Sequence, residues 1–165
     1  IAKYLRPNAD LPCHIIKSTI SQSDVKILLK GYIKPAQQNA DTSSVLEDII
    51  RDVYSTLRGK SNLIFANSRK RTEEIATALT DQCDQDNVPN EFFPHHGSLS
   101  KEIRQTLEAR LQQQKLPTSA VCTMTLELGI DIGNVDSVAQ VTAPHSVSSL
   151  GNVWGVRVAE IKRLF

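Results

Sequence analysis

The strongest constraint on this chain is a run of four apolar residues, Leu63-Ile64-Phe65-Ala66, followed at once by Asn67 and Ser68. So short and uniformly apolar a run has no polar face to give to water. It suits a strand buried on both sides, as in a parallel sheet covered by helices. The flanking sequence fits that reading. Upstream, Asp41 or Thr42 can cap a segment in which Val45, Leu46, Ile49, Ile50, Val53 and Leu57 recur at helical spacing, and Gly59 is a suitable stop. Downstream, Asn67 or Ser68 can cap a helix carrying Ile75, Ala76 and Leu79, after which residues 81–90 read as a polar loop. Residues 91–95 form a plausible strand. Ser100 then caps a helix with Glu102 in its first turn and Ile103, Leu107 and Leu111 on its inner face, and Pro117 ends that region. Residues 120–123 and 135–141 are further strands. Strands alternating with helices of this length predict an α/β domain with a central, mostly parallel sheet and right-handed crossovers.

The 165 residues suit one domain with a real core. With 19 Lys and Arg against 18 Asp and Glu, the chain is not a general polyanion binder, although a local basic groove is compatible with that balance. Cys13, Cys83 and Cys122 are scattered and without C-x-x-C spacing, which points to buried thiols in a reducing, cytoplasmic setting. No apolar run is long enough to span a membrane, and no signal-peptide pattern opens the chain.

Three segments carry chemistry. In SNLIFANSRKR a buried strand delivers Asn67, Ser68 and Arg69 to a helix start, where free N–H groups and a positive field suit a phosphate. Taken alone this is equally a simple cap. In HHGSLSKEIR, His95 and His96 end a strand, Gly97 permits a tight backbone, and Ser98 and Ser100 lead into a helix. Neighbouring strand residues point to opposite faces, and no Cys, Asp or Glu at ligand spacing joins the histidines, so a metal site is not predicted. In TMTLELGIDIG, Thr123 ends a strand, and Gly129 and Gly133 let the backbone approach a ligand. Asp131 between them is a candidate contact or a mere turn residue.

In this order the three segments resemble the second motor domain of a superfamily 2 helicase of the Lhr-like, DEAD/DEAH-box kind. The resemblance covers about the middle half of the chain. It implies a RecA-like three-layer fold, with the helicase C-terminal domain in residues 41–150. Residues 1–40, with extended apolar stretches around residues 14–16 and 25–33, read as linker and strands arriving from an upstream domain. The resemblance also implies that Asn67, Ser68, Arg69, Gly97, Ser98, Lys101, Arg104 and Thr123 lie along single-stranded nucleic acid, DNA rather than RNA. Phosphate contacts of this kind position a strand without reading its sequence. Asp131, with Gly129, would face the ATP ribose across a cleft shared with an upstream RecA-like motor domain.

That family continues into an arginine-rich segment, Q-R-x-G-R-x-G-R, where this chain reads GNVWGVRVAEIKRLF. Residues 152–161 can be encoded as AAC GTC TGG GGC GTT CGG GTC GCC GAG ATA. Read one base earlier, after a Gly151 codon ending in C, the same bases give QRLGRSGRRD. Residues 151–165 are therefore expected to be an out-of-frame tail, and the chain, which begins with Ile1, to be a piece of a longer protein. The sequence has no G-x-x-x-x-G-K-S/T loop and no Asp-Glu pair in a helicase setting. ATP and Mg²⁺ are thus expected of the complete parent only, bound with the help of its first motor domain, with no catalytic residue in this chain. A different class of protein, a non-catalytic α/β nucleic-acid-binding module, fits the same middle segments. An upstream phosphate loop in the same gene separates the two.

Overall fold

The computed structural model describes residues 27–33, 42–123 and 132–141, with side chains from Val45 onward in the second range. Helix α1 spans Thr42–Leu57, and Gly59, at φ +75°, turns the chain out of it. There follow β1 (Asn62–Phe65), α2 (Arg69–Gln85), β2 (Phe92–His95), α3 (Lys101–Gln113), β3 (Ser119–Cys122) and β4 (Ser137–Gln140). The strands form one sheet in the order β2-β3-β1-β4, and every pairing is parallel. This is the α/β sheet that the apolar runs predict.

Alternation along each strand divides the core in two. Ile64, Ala66, Val121, Phe92, Ala139 and Val141 pack with Val53 and Leu57 of α1 and Ile75, Leu79 and Cys83 of α2. Leu63, Phe65, Ala120, Cys122 and Val138 pack on the other face with Leu107 and Leu111 of α3. Helices on both faces of a buried sheet give three layers. The strand sequences NLIF and SAVC are buried at every position, as a sheet covered on both sides requires.

Two expectations are corrected. Residues 81–90 are not all loop: α2 continues to Gln85, and Cys83 is fully buried on its inner face. The polar residues there are the solvent face of a helix, and one small apolar residue per turn marks the inside. Ile103 is not on the inner face of α3 but 54% exposed, while Leu107 and Leu111 are buried. In the upstream stretch, residues 27–33 carry no strand. They are tied to α1 through Asp52, which accepts from the Tyr32 hydroxyl at 2.6 Å and pairs with Lys30 at 3.1 Å. The Tyr32 hydrogen bond, then that of Lys30, holds the Asp52 carboxyl below the usual carboxylate range.

Among the described residues strand β2 lies at one edge of the sheet, and its outer side is partly capped. The Ser119 N–H donates to Glu91 O, so residues 91, 93 and 95 turn their backbone groups toward β3 and Phe92 and Pro94 turn theirs outward. The Asn90 side chain takes both outward groups of Phe92, accepting from its N–H at 2.8 Å and donating to its carbonyl at 3.0 Å. Pro94 has no N–H to offer. These devices keep a bare edge from recruiting another strand.

Candidate nucleic-acid interface

Register decides which residues meet. Phe65 pairs with Cys122, and Cys122 with His95, so the three strands end in one row. Ala66, Thr123 and His96 follow at the same end, and the Ala66 N–H donates to Cys122 O at 2.9 Å. The segments singled out in the sequence thus reach one end of the sheet.

At β1, Ser68 has extended backbone and caps α2: its Oγ accepts from the Arg71 N–H, and its carbonyl accepts from the N–H and hydroxyl of Thr72. Asn67 is half-buried and accepts from Gln140 Nε2 at 3.5 Å. Arg69 and Lys70 are exposed, and Arg71 is held by Glu74 at 3.1 Å.

At β2, His95 and His96 do point to opposite faces, and each finds a carboxylate. His95 Nε2 lies 2.9 Å from Glu108 Oε1 on α3, and His96 Nε2 lies 3.0 Å from Glu73 Oε1 on α2. The chain then turns, with the Leu99 N–H donating to His96 O, and exposes Gly97 and Ser98 before Ser100 caps α3. The start of α3 already holds a negative charge. Hydrogen bonding by its own backbone and then by Ser100 keeps the fully exposed Glu102 carboxyl below the ordinary range. A phosphate here would meet the turn at Gly97 and Ser98, and the side chains of exposed Lys101 and half-buried Arg104, rather than free helix N–H groups. Arg104 Nε is buried without a partner.

At β3, Thr123 is half-buried at the strand end and takes part in interactions of its own. Gly129, Asp131 and residues 151–165 lie outside the described residues. Among the described residues no cluster of three or more potential metal ligands occurs, and no helix is long and apolar enough to cross a membrane. Sequence reasoning missed Glu73, Glu108 and Gln140. The signal for the two glutamates was available: adjacent histidines closing a covered strand must be buried on opposite faces, and each then needs a partner from a different helix.

Backbone turns, serines and cationic side chains gather at the carboxyl end of a parallel sheet, the end at which open α/β domains hold their ligands. The helicase conserved C-terminal domain family matches residues 42–155. The ATP-dependent helicase Lhr-Core of Methanothermobacter thermautotrophicus is 36% identical over 131 residues, covering 79% of this chain and 15% of that protein. The solved structure of Mycobacterium smegmatis helicase Lhr bound to ssDNA and AMP-PNP matches with a TM-score of 0.64 at 29% identity, over 85% of this chain and 19% of that one. Dbp5 of S. cerevisiae, bound to RNA and ADP BeF3, is 16% identical with a TM-score of 0.62 over 86% of this chain and 35% of that one, a likeness of fold alone. The chain belongs to the helicase conserved C-terminal domain family and is, within superfamily 2, an Lhr-like, RecA-like second motor domain. It spans about 15% of the length of that Lhr-Core relative.

Proposed function

We propose that this domain holds the backbone of single-stranded nucleic acid, DNA in preference to RNA, across the carboxyl end of its sheet. In that reading it works beside an upstream RecA-like motor domain of a cytoplasmic DEAD/DEAH-type helicase that hydrolyses ATP with Mg²⁺. The convergence of the Asn67–Arg69, Gly97–Arg104 and Thr123 segments on one sheet end carries the reading. The relative solved with ssDNA supports the choice of DNA. Ser68 and Ser98, with the Gly97 backbone, would seat successive phosphates. Arg69, Lys101 and Arg104 would neutralise them. Gly129 and Asp131 would face the nucleotide of the shared cleft.

Binding by this chain alone should be weak and salt-sensitive, because one motor half reaches few phosphates and each single-strand phosphate neutralised adds about 0.7 to the salt slope. Fluorescence anisotropy with a labelled oligo-dT, between low and physiological salt, measures it. Tight, sequence-selective, salt-insensitive binding would contradict the proposed mode. The chain should not hydrolyse ATP by itself. In the reading-frame account of residues 151–165, restoring the codons for QRLGRSGRRD returns arginines of a kind worth about 10³–10⁵ in rate. Joined to the upstream motor half, the repaired protein should gain strand-stimulated turnover. Full activity from the unrepaired form would refute that account.

A further inference from the structure

The phosphate-facing groups proposed above stand on two separate elements: the start of α2 and the turn before α3. A strand can use both sets together only if their spacing is fixed. The turn follows a strand that, among the described residues, has a neighbouring strand on one side only. Two side-chain links reach from its first residues into the helix layers. His96, 2% exposed, meets Glu73, which lies on α2 a little more than one turn beyond Ser68. His95, 4% exposed, meets Glu108, one turn beyond Arg104 on α3.

A carboxylate can only accept, so each imidazole donates from Nε2 and leaves Nδ1 as the second polar atom. Both Nδ1 atoms are buried without a partner. A merely stabilising polar pair would have little reason to keep such orphans, which cost free energy. Both links also bring an acid close to a surface meant for a polyanion. We infer that His95 and His96, through Glu108 and Glu73, are positioning residues that set the Gly97–Ser98 turn at a fixed distance from the start of α2, so that one strand can be held by both. This rests on the strand-binding reading and adds to it a pair of acids whose effect on binding is opposite to that of their charge.

That opposition makes the test. Glu73 has a side chain 59% exposed, on a helix, so Glu73→Ala should leave the fold intact. If Glu73 were a bystander, removing its charge would tighten binding to an oligo-dT. If it positions the turn, Glu73→Ala should weaken binding about tenfold and make the slope of log K against log salt shallower by about 0.7 for each phosphate no longer neutralised. Glu73→Gln keeps an oxygen to accept from His96 and should bind at least as well as the unsubstituted chain. Melting temperature is followed in parallel, since a fall in folded fraction lowers amplitude without altering the slope. Tightened or unchanged binding by Glu73→Ala overturns the inference alone, as does equal weakening by both variants or a weakening with an unaltered slope. Failure of the unsubstituted chain to bind overturns the strand-binding reading and the inference with it.

Discussion

At the amino end of the strands, the buried Asn62 amide donates to Leu57 O at 2.8 Å, Lys60 O at 3.1 Å and Ser119 Oγ at 2.8 Å, while its oxygen accepts from Ser137 Oγ at 2.6 Å. The Asp136 carboxylate accepts from the Ser61 N–H at 2.8 Å, and Glu91 accepts from the Gly59 N–H at 2.7 Å. Tyr54, Arg58 and Asp86 close the helix ends above them. At the carboxyl end the picture reverses. Every buried side-chain polar atom left without a partner among the described residues belongs to His95, His96, Arg104 or Gln140. Those four residues lie at the carboxyl ends of β2 and β4 and in the first turn of α3. One end of the sheet commits its polar groups to holding the fold. The other leaves several unmatched, as sites built for a ligand tend to.

If that division is right, the largest effect on stability comes from the satisfied end. Asn62→Leu strands the Ser119 and Ser137 hydroxyls and the Leu57 carbonyl, and each buried orphan costs about 1–3 kcal/mol. We expect a loss of about 3 kcal/mol in urea unfolding, with strand affinity per folded molecule unchanged. A loss below about 1 kcal/mol would show that this end is no better built than the other.

The carboxyl end should respond in the opposite way. Lys101→Glu and Arg104→Glu should each weaken single-strand affinity about tenfold, alike for all base sequences and less so at high salt, while unfolding midpoints barely move. Base-dependent losses in an anisotropy titration would place these residues against bases rather than phosphates.

A third test uses pH. Burial, then the hydrogen bond to Asp86, pushes the Tyr54 hydroxyl up to about 12. The folded state therefore favours the neutral phenol, whereas an unfolded tyrosine ionises near 10. The stability this provides is complete below about pH 10 and is lost as pH rises from there through about 12. Tyr54→Phe should cost about 1 kcal/mol at neutral pH and flatten the decline above pH 10. The same alkaline slope in both proteins would remove Tyr54 from the amino-end cluster.

Much of this was legible in the residues. Short apolar runs fixed the strands because a strand covered on both faces has no room for polar alternation: β1 and β3 lie one residue from the expected positions, and β4 falls inside the expected 135–141. Ser68 and Ser100 were readable as caps because their hydroxyls sit one residue before the helical period begins. The end of α2 was not legible. Residues 81–85 are polar on their outer face, and only Cys83 betrays the inner one. The left-handed residues Asn87 and Gln114, which follow α2 and α3, are not glycines, so the usual stop signal was missing there. At the site, the strand ends were found, but Glu73, Glu108 and Gln140 were not. Their roles depend on which helix covers which face, a tertiary fact that no local pattern holds.

The smallest expected effect tests the helix position that sequence reading assigned to the core. Ile103 lies one turn before Leu107 and two before Leu111 on α3, a spacing that ordinarily defines a buried stripe. Leu107 and Leu111 are covered by the sheet, but Ile103 is left with more than half its surface in solvent beside Phe93, Thr106 and Arg110. The Arg110 guanidinium lies over the Phe93 ring at 4.7 Å and donates to the Thr118 hydroxyl at 2.9 Å, so it does not lid the isoleucine. Ile103→Ser should therefore change stability by no more than about 0.5 kcal/mol, as expected of a surface position, and leave oligo-dT affinity where it was. A loss of about 2 kcal/mol or more would mean that the first turn of α3 is anchored like the core. The carboxyl end would then be as firmly packed as the amino end, and only its unpaired polar atoms would still set the two apart.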